Sequence, residues 1–115
     1  MRSLDELKDA VLKFAKDRDW EKFHTPKNLS TAVAVEAAEL QELFMWLTPD
    51  ESQNITSEQR AKVEDEVGDV LICLVNFAAR AGIDPLAAAA KKIQKNNEKY
   101  PADKTRGSAK KYDEY

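Results

Sequence analysis

The sequence is poor in the residues that break helices or cross-link chains. It has three glycines, four prolines and one cysteine in 115 residues. The single cysteine, Cys73, excludes an internal disulfide, and its apolar neighbours indicate a buried thiol. The scarcity of glycine and proline, beside abundant alanine, leucine, glutamate and lysine, favours an all-α fold.

Two further absences narrow the class of protein. No apolar run reaches the length of a membrane span, and the N-terminus turns polar too soon for a signal peptide. We therefore expect a cytoplasmic protein with no membrane partner. There is also no glycine-rich phosphate loop, so any phosphate binding must rely on metal ions and side chains. The length and the 43% hydrophobic content fit one globular domain over residues 1–115.

Charge is divided unevenly along the chain. Residues 1–90 carry a net charge of −7, and residues 91–115 carry +4. An acidic body argues against nucleic acid as a partner. An acidic body followed by a basic C-terminal tail (about 101–115) suits a bound cation that faces a polyphosphate, although a solvated tail explains the same pattern.

Hydrophobic periodicity and capping residues predict four helices. Their predicted ranges are Ser3 to about Asp19, about Leu29 to Leu47, about Thr56 to Ala81, and Asp84 to about Tyr100. Residues 20–28 are predicted to be a loop broken by Pro26, residues 48–57 a polar connection, and residues 101–115 a tail without strong periodicity. Residues 70–81 are apolar almost all round, which predicts that a partner subunit covers part of the third helix.

Two pairs of acids occupy positions on or beside apolar helix faces. At helical spacing, Glu36 falls in the middle of the apolar stripe of the second helix, with Glu39 at its edge. Glu66 and Asp69 repeat this spacing at the margin of the stripe on the third helix. If these helices are antiparallel neighbours, four carboxylates converge, and their repulsion calls for a bound cation. An all-oxygen ligand set suits Mg²⁺ or Mn²⁺.

Several of these residues also have an ordinary structural interpretation. A lone Glu-x-x-Glu is common on solvated helix faces, and the metal hypothesis depends on finding two pairs on successive helices. Glu42, Glu64 and Asp65 point to other sides and are predicted to be surface acids. Trp46 could stack on a base or belong to the core, and His24 is more typical of a hydrogen-bonded loop histidine than of a catalyst.

A set of motifs occurs in a fixed order along almost the whole chain, from about Leu4 to Tyr112. The first is Glu36-x-x-Glu39, followed after twenty-six residues by Glu66-x-x-Asp69. The segments that carry the pattern are RDWEKFH (18–24), PKNL (26–29), VEAAELQELFMW (35–46), EDEVGDVLICLV (64–75) and KYPADKTRGSAKKY (99–112). Together they resemble the MazG-like superfamily of all-α nucleoside triphosphate pyrophosphohydrolases, and most closely its dCTP pyrophosphatase branch.

This resemblance implies a four-helix bundle that forms a homo-oligomer, a tetramer or a dimer, with active sites at subunit interfaces. It implies catalysis and magnesium binding by Glu36, Glu39, Glu66 and Asp69, with manganese as an alternative cation. The substrate-binding positions that it implies are Trp20, Glu21, Lys22, Phe23, His24, Trp46, Cys73, Lys92, Asn96 and Tyr100. The implied activity is hydrolysis of dCTP or related nucleoside triphosphates to the monophosphate and pyrophosphate, for cleansing of the nucleotide pool.

Two positions depart from the mammalian members of that branch. Val11 stands where they carry a histidine, and Cys73 stands where they carry a tyrosine, both of which contact substrate there. The metal motif is unaffected by these changes. The base preference stays open among dCTP, modified cytosine nucleotides and dATP.

Three other interpretations compete with this one. A di-iron carboxylate bundle usually needs Glu-x-x-His pairs on helices, whereas His24, the one histidine, lies in a predicted loop. A non-catalytic helical oligomerisation or binding module would use the same acids in salt bridges. Within the superfamily, dUTP or a histidine-pathway intermediate could be the substrate instead.

Overall fold

The computed structural model describes residues 1–109. Within that range the chain forms helices and contains no β-strand, which confirms the all-α prediction. The α-helices are α1 (Leu4–Asp17), α2 (Pro26–Glu42), α3 (Pro49–Ser52), α4 (Ser57–Arg80), α5 (Pro85–Lys99) and α6 (Ala102–Thr105), with a 3₁₀ turn at Glu21–Phe23.

Helix α2 begins and ends earlier than the sequence pattern predicts. Thr25 caps it by accepting a hydrogen bond from the backbone N–H of Asn28 at 3.2 Å, and Pro26 occupies the first turn. A proline fits there because its missing N–H has no helical partner to lose. Pro26, which the sequence pattern places in a loop, is therefore the first residue of a helix. At the other end, α2 stops at Glu42, and residues 43–47 form turns instead of continuing the helix to Leu47.

Short helices lie in both segments predicted to be irregular. Within the connection between α2 and α4, Thr48 and Glu51 form a reciprocal capping box that begins α3. In the C-terminal tail, Ala102–Thr105 forms α6. Residues 110–115, the last part of the predicted basic tail, lie outside the described residues.

The chain divides into two compact units, Met1–Gly82 and Ile83–Tyr115. In the first unit, α4 packs against both α1 and α2. Helices α2 and α4 run antiparallel, because His24 pairs with Asn76 while Leu43 lines the same cavity as Val63. In the second unit, the Asp84 side chain caps α5. The prediction of a single domain over residues 1–115 stays a prediction.

The first unit buries little apolar surface. The buried apolar residues among those described are Val11, Ala15, Leu29, Val75 and Ala78. On α4, by contrast, Val67, Leu71 and Leu74 lie one turn apart and are 50%, 40% and 44% exposed. These three residues, here called the apolar strip, are left uncovered by a single chain. No single described helix is both long and apolar enough to cross a membrane.

The capping box of α4 should make a measurable contribution to stability. The Thr56 hydroxyl accepts from the Gln59 N–H at 3.1 Å, and the Gln59 side chain accepts from the Thr56 N–H at 2.8 Å. Because Thr56→Ala leaves the Gln59 N–H without this partner, it should lower the free energy of unfolding by about 1 kcal/mol. Urea denaturation at one fixed protein concentration measures this. Ser57→Ala, which removes no capping bond, is the control, and an equal loss there would contradict the assignment.

Candidate active site

Three carboxylates from α2 and α4 meet at one point. Glu36, Glu39 and Glu66 each offer one oxygen, and these oxygens lie within 4.8 Å of one another. Glu36 and Glu39 point the same way because they are three residues apart on one helix. Glu66 reaches them because α4 runs antiparallel to α2. We call these three residues the carboxylate cluster.

The Glu36 carboxyl group is unusually basic. Its pKa is raised from 4.5 to about 7, chiefly by a hydrogen bond with Glu39, then by burial and by the charges of Glu39, Asp69 and Glu66. With a pKa of about 7, the Glu36 carboxyl group is partly protonated near neutral pH when no cation is bound.

Two oxygens of the cluster lack the partners that buried oxygens normally have. Glu36 Oε2 and Glu66 Oε2 are both buried, and no hydrogen-bond donor among the described residues reaches them. Burial, together with the charges of Glu39 and Asp69, also raises the pKa of Glu66. Unpartnered buried acceptors and clustered negative charge both destabilise a fold. A divalent cation would relieve both, and a set of carboxylate oxygens fits a hard cation.

Asp69 stands at the edge of this arrangement. It is exposed and lies outside the 4.8 Å group, one turn further along α4 than Glu66. Its negative charge nonetheless raises the pKa of Glu36, Glu66 and Cys73, so its carboxylate is within electrostatic range of the cluster. The structure thus brings together three of the four predicted ligands. The role of Asp69 as the fourth stays a prediction.

Cys73 follows Asp69 by one turn on the same helix and is half-buried, where the sequence predicts a buried thiol. Burial raises its thiol pKa, and the charges of Glu36 and Asp69 raise it further. The thiol therefore stays protonated and is a poor nucleophile. Contact between Cys73 and a substrate stays a prediction.

His24 is attached to α4. The Asn76 Nδ2 amide lies 3.2 Å from His24 Nδ1. Because an amide nitrogen donates, Nδ1 accepts, and the ring proton of the neutral histidine is on Nε2. Burial and the Arg80 charge lower the pKa of His24, which Glu21 partly opposes. The prediction of a hydrogen-bonded loop histidine is confirmed.

The other residues predicted around the base lie next to His24. Trp20 packs edge-on against Phe14, with ring centroids 5.7 Å apart, and it stays exposed. Lys22 bonds to Asp19 at 2.9 Å and lies 5.4 Å from the centroid of the exposed Phe23 ring. Glu21 is exposed as well. These side chains leave aromatic surface open to a ligand.

Trp46 is not a core residue of the single chain. It lies in the turns after α2 and is 88% exposed. Of the two interpretations drawn from the sequence, the core one is therefore wrong within one chain, and stacking on a base stays a prediction.

Lys92, Asn96 and Tyr100 belong to the second unit. Lys92 and Asn96 lie one turn apart on α5, and Tyr100 directly follows the last residue of that helix. All three are exposed. Their predicted contact with substrate phosphates stays a prediction.

Two residues near His24 have features that the sequence analysis missed. Asn76 Oδ1 and the Nε and Nη2 atoms of Arg80 are buried without partners among the described residues. The available signal was that both interrupt the otherwise apolar segment 70–81. A polar residue there has to make tertiary contacts, and the sequence does not specify which.

Comparison with known proteins shows the family. Residues 31–115 match the MazG-like family, and the chain belongs to it, as the motifs predict. It is 41% identical to human dCTP pyrophosphatase 1 over 114 residues, 97% of this chain and 67% of that protein. The bovine dCTP pyrophosphatase 1 is 42% identical over 113 residues, 96% of this chain and 66% of that protein. The chain thus spans about two thirds of the length of these relatives.

A solved structure agrees with this assignment. The crystal structure of a pyrophosphatase from Archaeoglobus fulgidus matches with a TM-score of 0.80 and 41% sequence identity. The match covers 84% of this chain and 91% of that one, so the likeness extends over nearly the whole described fold.

The stability of the metal-free protein should depend on pH through Glu36. Folding raises this pKa from 4.5 to about 7, so the folded state binds the proton more tightly than the unfolded state. The associated stability is full below the unfolded pKa and is lost as pH rises through the folded one. The melting temperature in a chelator should therefore fall between about pH 6.5 and about pH 8.

Glu36→Gln should flatten this dependence and raise the melting temperature at the alkaline end, whereas Glu42→Gln on the same helix should change neither. We take about pH 6.5 as the lower limit of the test because His24 also titrates. Its lowered pKa gives a contribution to stability of the opposite sign, which is lost as pH falls. Differential scanning fluorimetry measures both variants. An unchanged slope in Glu36→Gln would contradict the assignment.

Proposed function

We propose that this protein hydrolyses nucleoside triphosphates, with dCTP or a related deoxynucleotide preferred, to the monophosphate and pyrophosphate. The observation that carries the proposal is the carboxylate cluster with its two buried, unpartnered oxygens on Glu36 and Glu66. It occurs in a chain of the MazG-like family that is 41% identical to human dCTP pyrophosphatase 1. Cleansing of the nucleotide pool is the cellular role that goes with this reaction.

Magnesium is the cation we propose, with manganese as the alternative. Glu36, Glu39, Glu66 and Asp69 would hold it. Their oxygens suit a hard cation better than zinc, which favours nitrogen and sulfur ligands. When bound, such a cation neutralises phosphate charge and activates water for attack.

The reaction needs a group that takes a proton from the attacking water. Glu36, one of the three acids of the carboxylate cluster, is the base that we propose. Glu39, three residues further along α2, is the other candidate. As the proton moves to the carboxylate, the water oxygen bonds to the α-phosphorus. The bond from that phosphorus to the oxygen shared with the β-phosphate breaks, and pyrophosphate leaves with the bonding electrons.

The nucleoside would bind beside the carboxylates. The exposed rings of Trp20, Phe23 and Trp46 offer stacking surfaces for a base. Glu21, Lys22, His24 and Cys73 would complete the surroundings of the base and sugar. Lys92, Asn96 and Tyr100 would approach the phosphates.

The proposal includes a homo-oligomer, a tetramer or a dimer, with sites at its interfaces. The exposed apolar strip supports this, because covering it with a second copy removes apolar surface from water. By helical geometry the strip lies about 100° around α4 from Glu66 and Cys73, so a subunit covering it would stand next to the carboxylates. We place the reaction in the cytoplasm, and we propose no nucleic acid or membrane partner.

Product analysis tests the reaction. The protein is incubated with magnesium and each common deoxynucleoside triphosphate, and the products are separated by chromatography. We expect monophosphate and pyrophosphate in equal amounts, with dCTP or a related nucleotide turned over fastest. Glu36→Gln should lower kcat at least about 100-fold because it removes the base and a ligand, and chelation should abolish turnover.

Glu42→Gln, an exposed acid at the end of α2, is the matched control and should keep full activity. Diphosphate and phosphate as products would contradict the proposed cleavage position. Absence of turnover with every nucleotide would favour the non-catalytic helical module.

Cation binding can be tested without turnover. A cation that binds only the folded cluster should raise the melting temperature with increasing concentration. We expect magnesium to do so in the unaltered protein and in Glu42→Gln, and to have little effect in Glu66→Gln. An equal shift in all three proteins would indicate that the cation binds elsewhere.

A further inference from the structure

A part-buried polar contact joins the segment after α1 to α4. We call residues 20–24 the aromatic segment. The contact between His24 Nδ1 and Asn76 Nδ2 links residues 52 positions apart. The other side-chain hydrogen bonds within residues 1–82 join residues no more than five positions apart. This contact is therefore a tertiary side-chain hydrogen bond of the first unit.

Core packing does not explain an asparagine at position 76. It is 7% exposed, its Nδ2 bonds to His24, and its Oδ1 has no partner among the described residues. A buried amide with half of its hydrogen-bonding capacity unmet is less favourable than an apolar side chain of similar size. The amide at this position therefore points to a requirement other than core stability.

Asn76 lies on the same face of α4 as the acids. At 100° per residue, Glu66, Asp69, Cys73 and Asn76 fall within an arc of about 80°. Asn76 is seven residues beyond Asp69, which places it about 10 Å further along the helix. The contact with His24 thus fixes the aromatic segment beside the face that carries the carboxylates.

The segment is also attached at its other end. The Trp20 N–H donates to the Ala15 carbonyl at 2.9 Å, and the Trp20 ring packs against Phe14. Between the two attachments, the His24 N–H donates to the Glu21 carbonyl at 3.0 Å. The aromatic segment is therefore a hydrogen-bonded turn held by α1 at one end and by Asn76 at the other.

We propose that Asn76 is a positioning residue, which holds the His24 ring through the hydrogen bond at Nδ1 and so sets the aromatic segment where the nucleoside binds. This rests on the proposed function. The charged groups that face His24 are Glu21 from its own segment and Arg80 from α4. A protonated ring would carry a proton on Nδ1 facing the amide donor and would meet the Arg80 charge, so the contact selects the neutral form.

The first experiment tests the hydrogen bond between His24 and Asn76 by NMR. Because His24 is the one histidine, its ring nitrogens give a single set of NMR signals in ¹⁵N-histidine-labelled protein. We expect the neutral Nε2–H form, titrating at lower pH than a free histidine. Asn76→Asp should move the titration to higher pH, because a carboxylate accepts a proton from Nδ1. Asn76→Leu, of similar volume, should remove the tautomer preference, and identical spectra in Asn76→Leu would overturn the proposal.

The second experiment reads the consequence for substrate. Asn76→Leu should raise KM for the nucleotide roughly tenfold, which is the loss of about one hydrogen bond, and change kcat less than about threefold. Asn76→Asp, which keeps a partner for His24, should keep KM within about threefold. Asn54→Leu, at an exposed asparagine, is the control and should leave both constants unchanged.

A double-mutant cycle with His24→Ala decides whether Asn76 acts through His24. In the His24→Ala background, Asn76→Leu should have no further effect on KM. Additive effects, or an unchanged KM in Asn76→Leu, would overturn the positioning role while leaving the proposed function intact. Absence of turnover by the unaltered protein would overturn both, whatever the NMR spectra show.

Discussion

The repulsion between carboxylates held together by α2 and α4 is the interaction on which the rest of this structure depends. Glu36, Glu39 and Glu66 each offer an oxygen within 4.8 Å of the others, and two of their oxygens are buried without a donor among the described residues. An arrangement of this kind reduces the stability of the apo fold. Side-chain packing does not explain why these carboxylates lie together. A bound cation would make the arrangement favourable.

The helical hairpin formed by α2 and α4 supplies the rigidity that holds these acids together. Capping boxes at Thr48 and Thr56 set the geometry of the connection, and antiparallel packing then opposes Glu36 to Glu66. The same packing brings His24, just before α2, against Asn76 near the end of α4. The hairpin therefore organises both the acidic end and the aromatic end of the candidate site.

The sequence predicts most of the local features, such as which residues share a helix face. It predicts few of the contacts between residues that are far apart in the chain. Glu36 and Glu39 share a face because of helical spacing, and the short connection makes α2 and α4 neighbours. Asp69 lies outside the 4.8 Å group although its spacing from Glu66 equals that of Glu39 from Glu36, so helical spacing alone does not decide which acids meet. The sequence pattern places Pro26 in a loop, since proline is common both in turns and in the first turn of a helix. In the structure Thr25 caps a helix that begins at Pro26. The contact between Asn76 and His24 depends on tertiary packing that no periodicity encodes.

The proton that Glu36 retains near neutral pH would make any binding of a cation at the cluster a competition with hydrogen ions. A cation that binds these oxygens must displace the proton, so loading of the cluster releases acid into solution. The two ligands compete for the same lone pairs. The concentration of free cation needed for half-saturation would therefore rise as the medium becomes more acidic, and occupancy of the cluster would follow the ratio of the two ions.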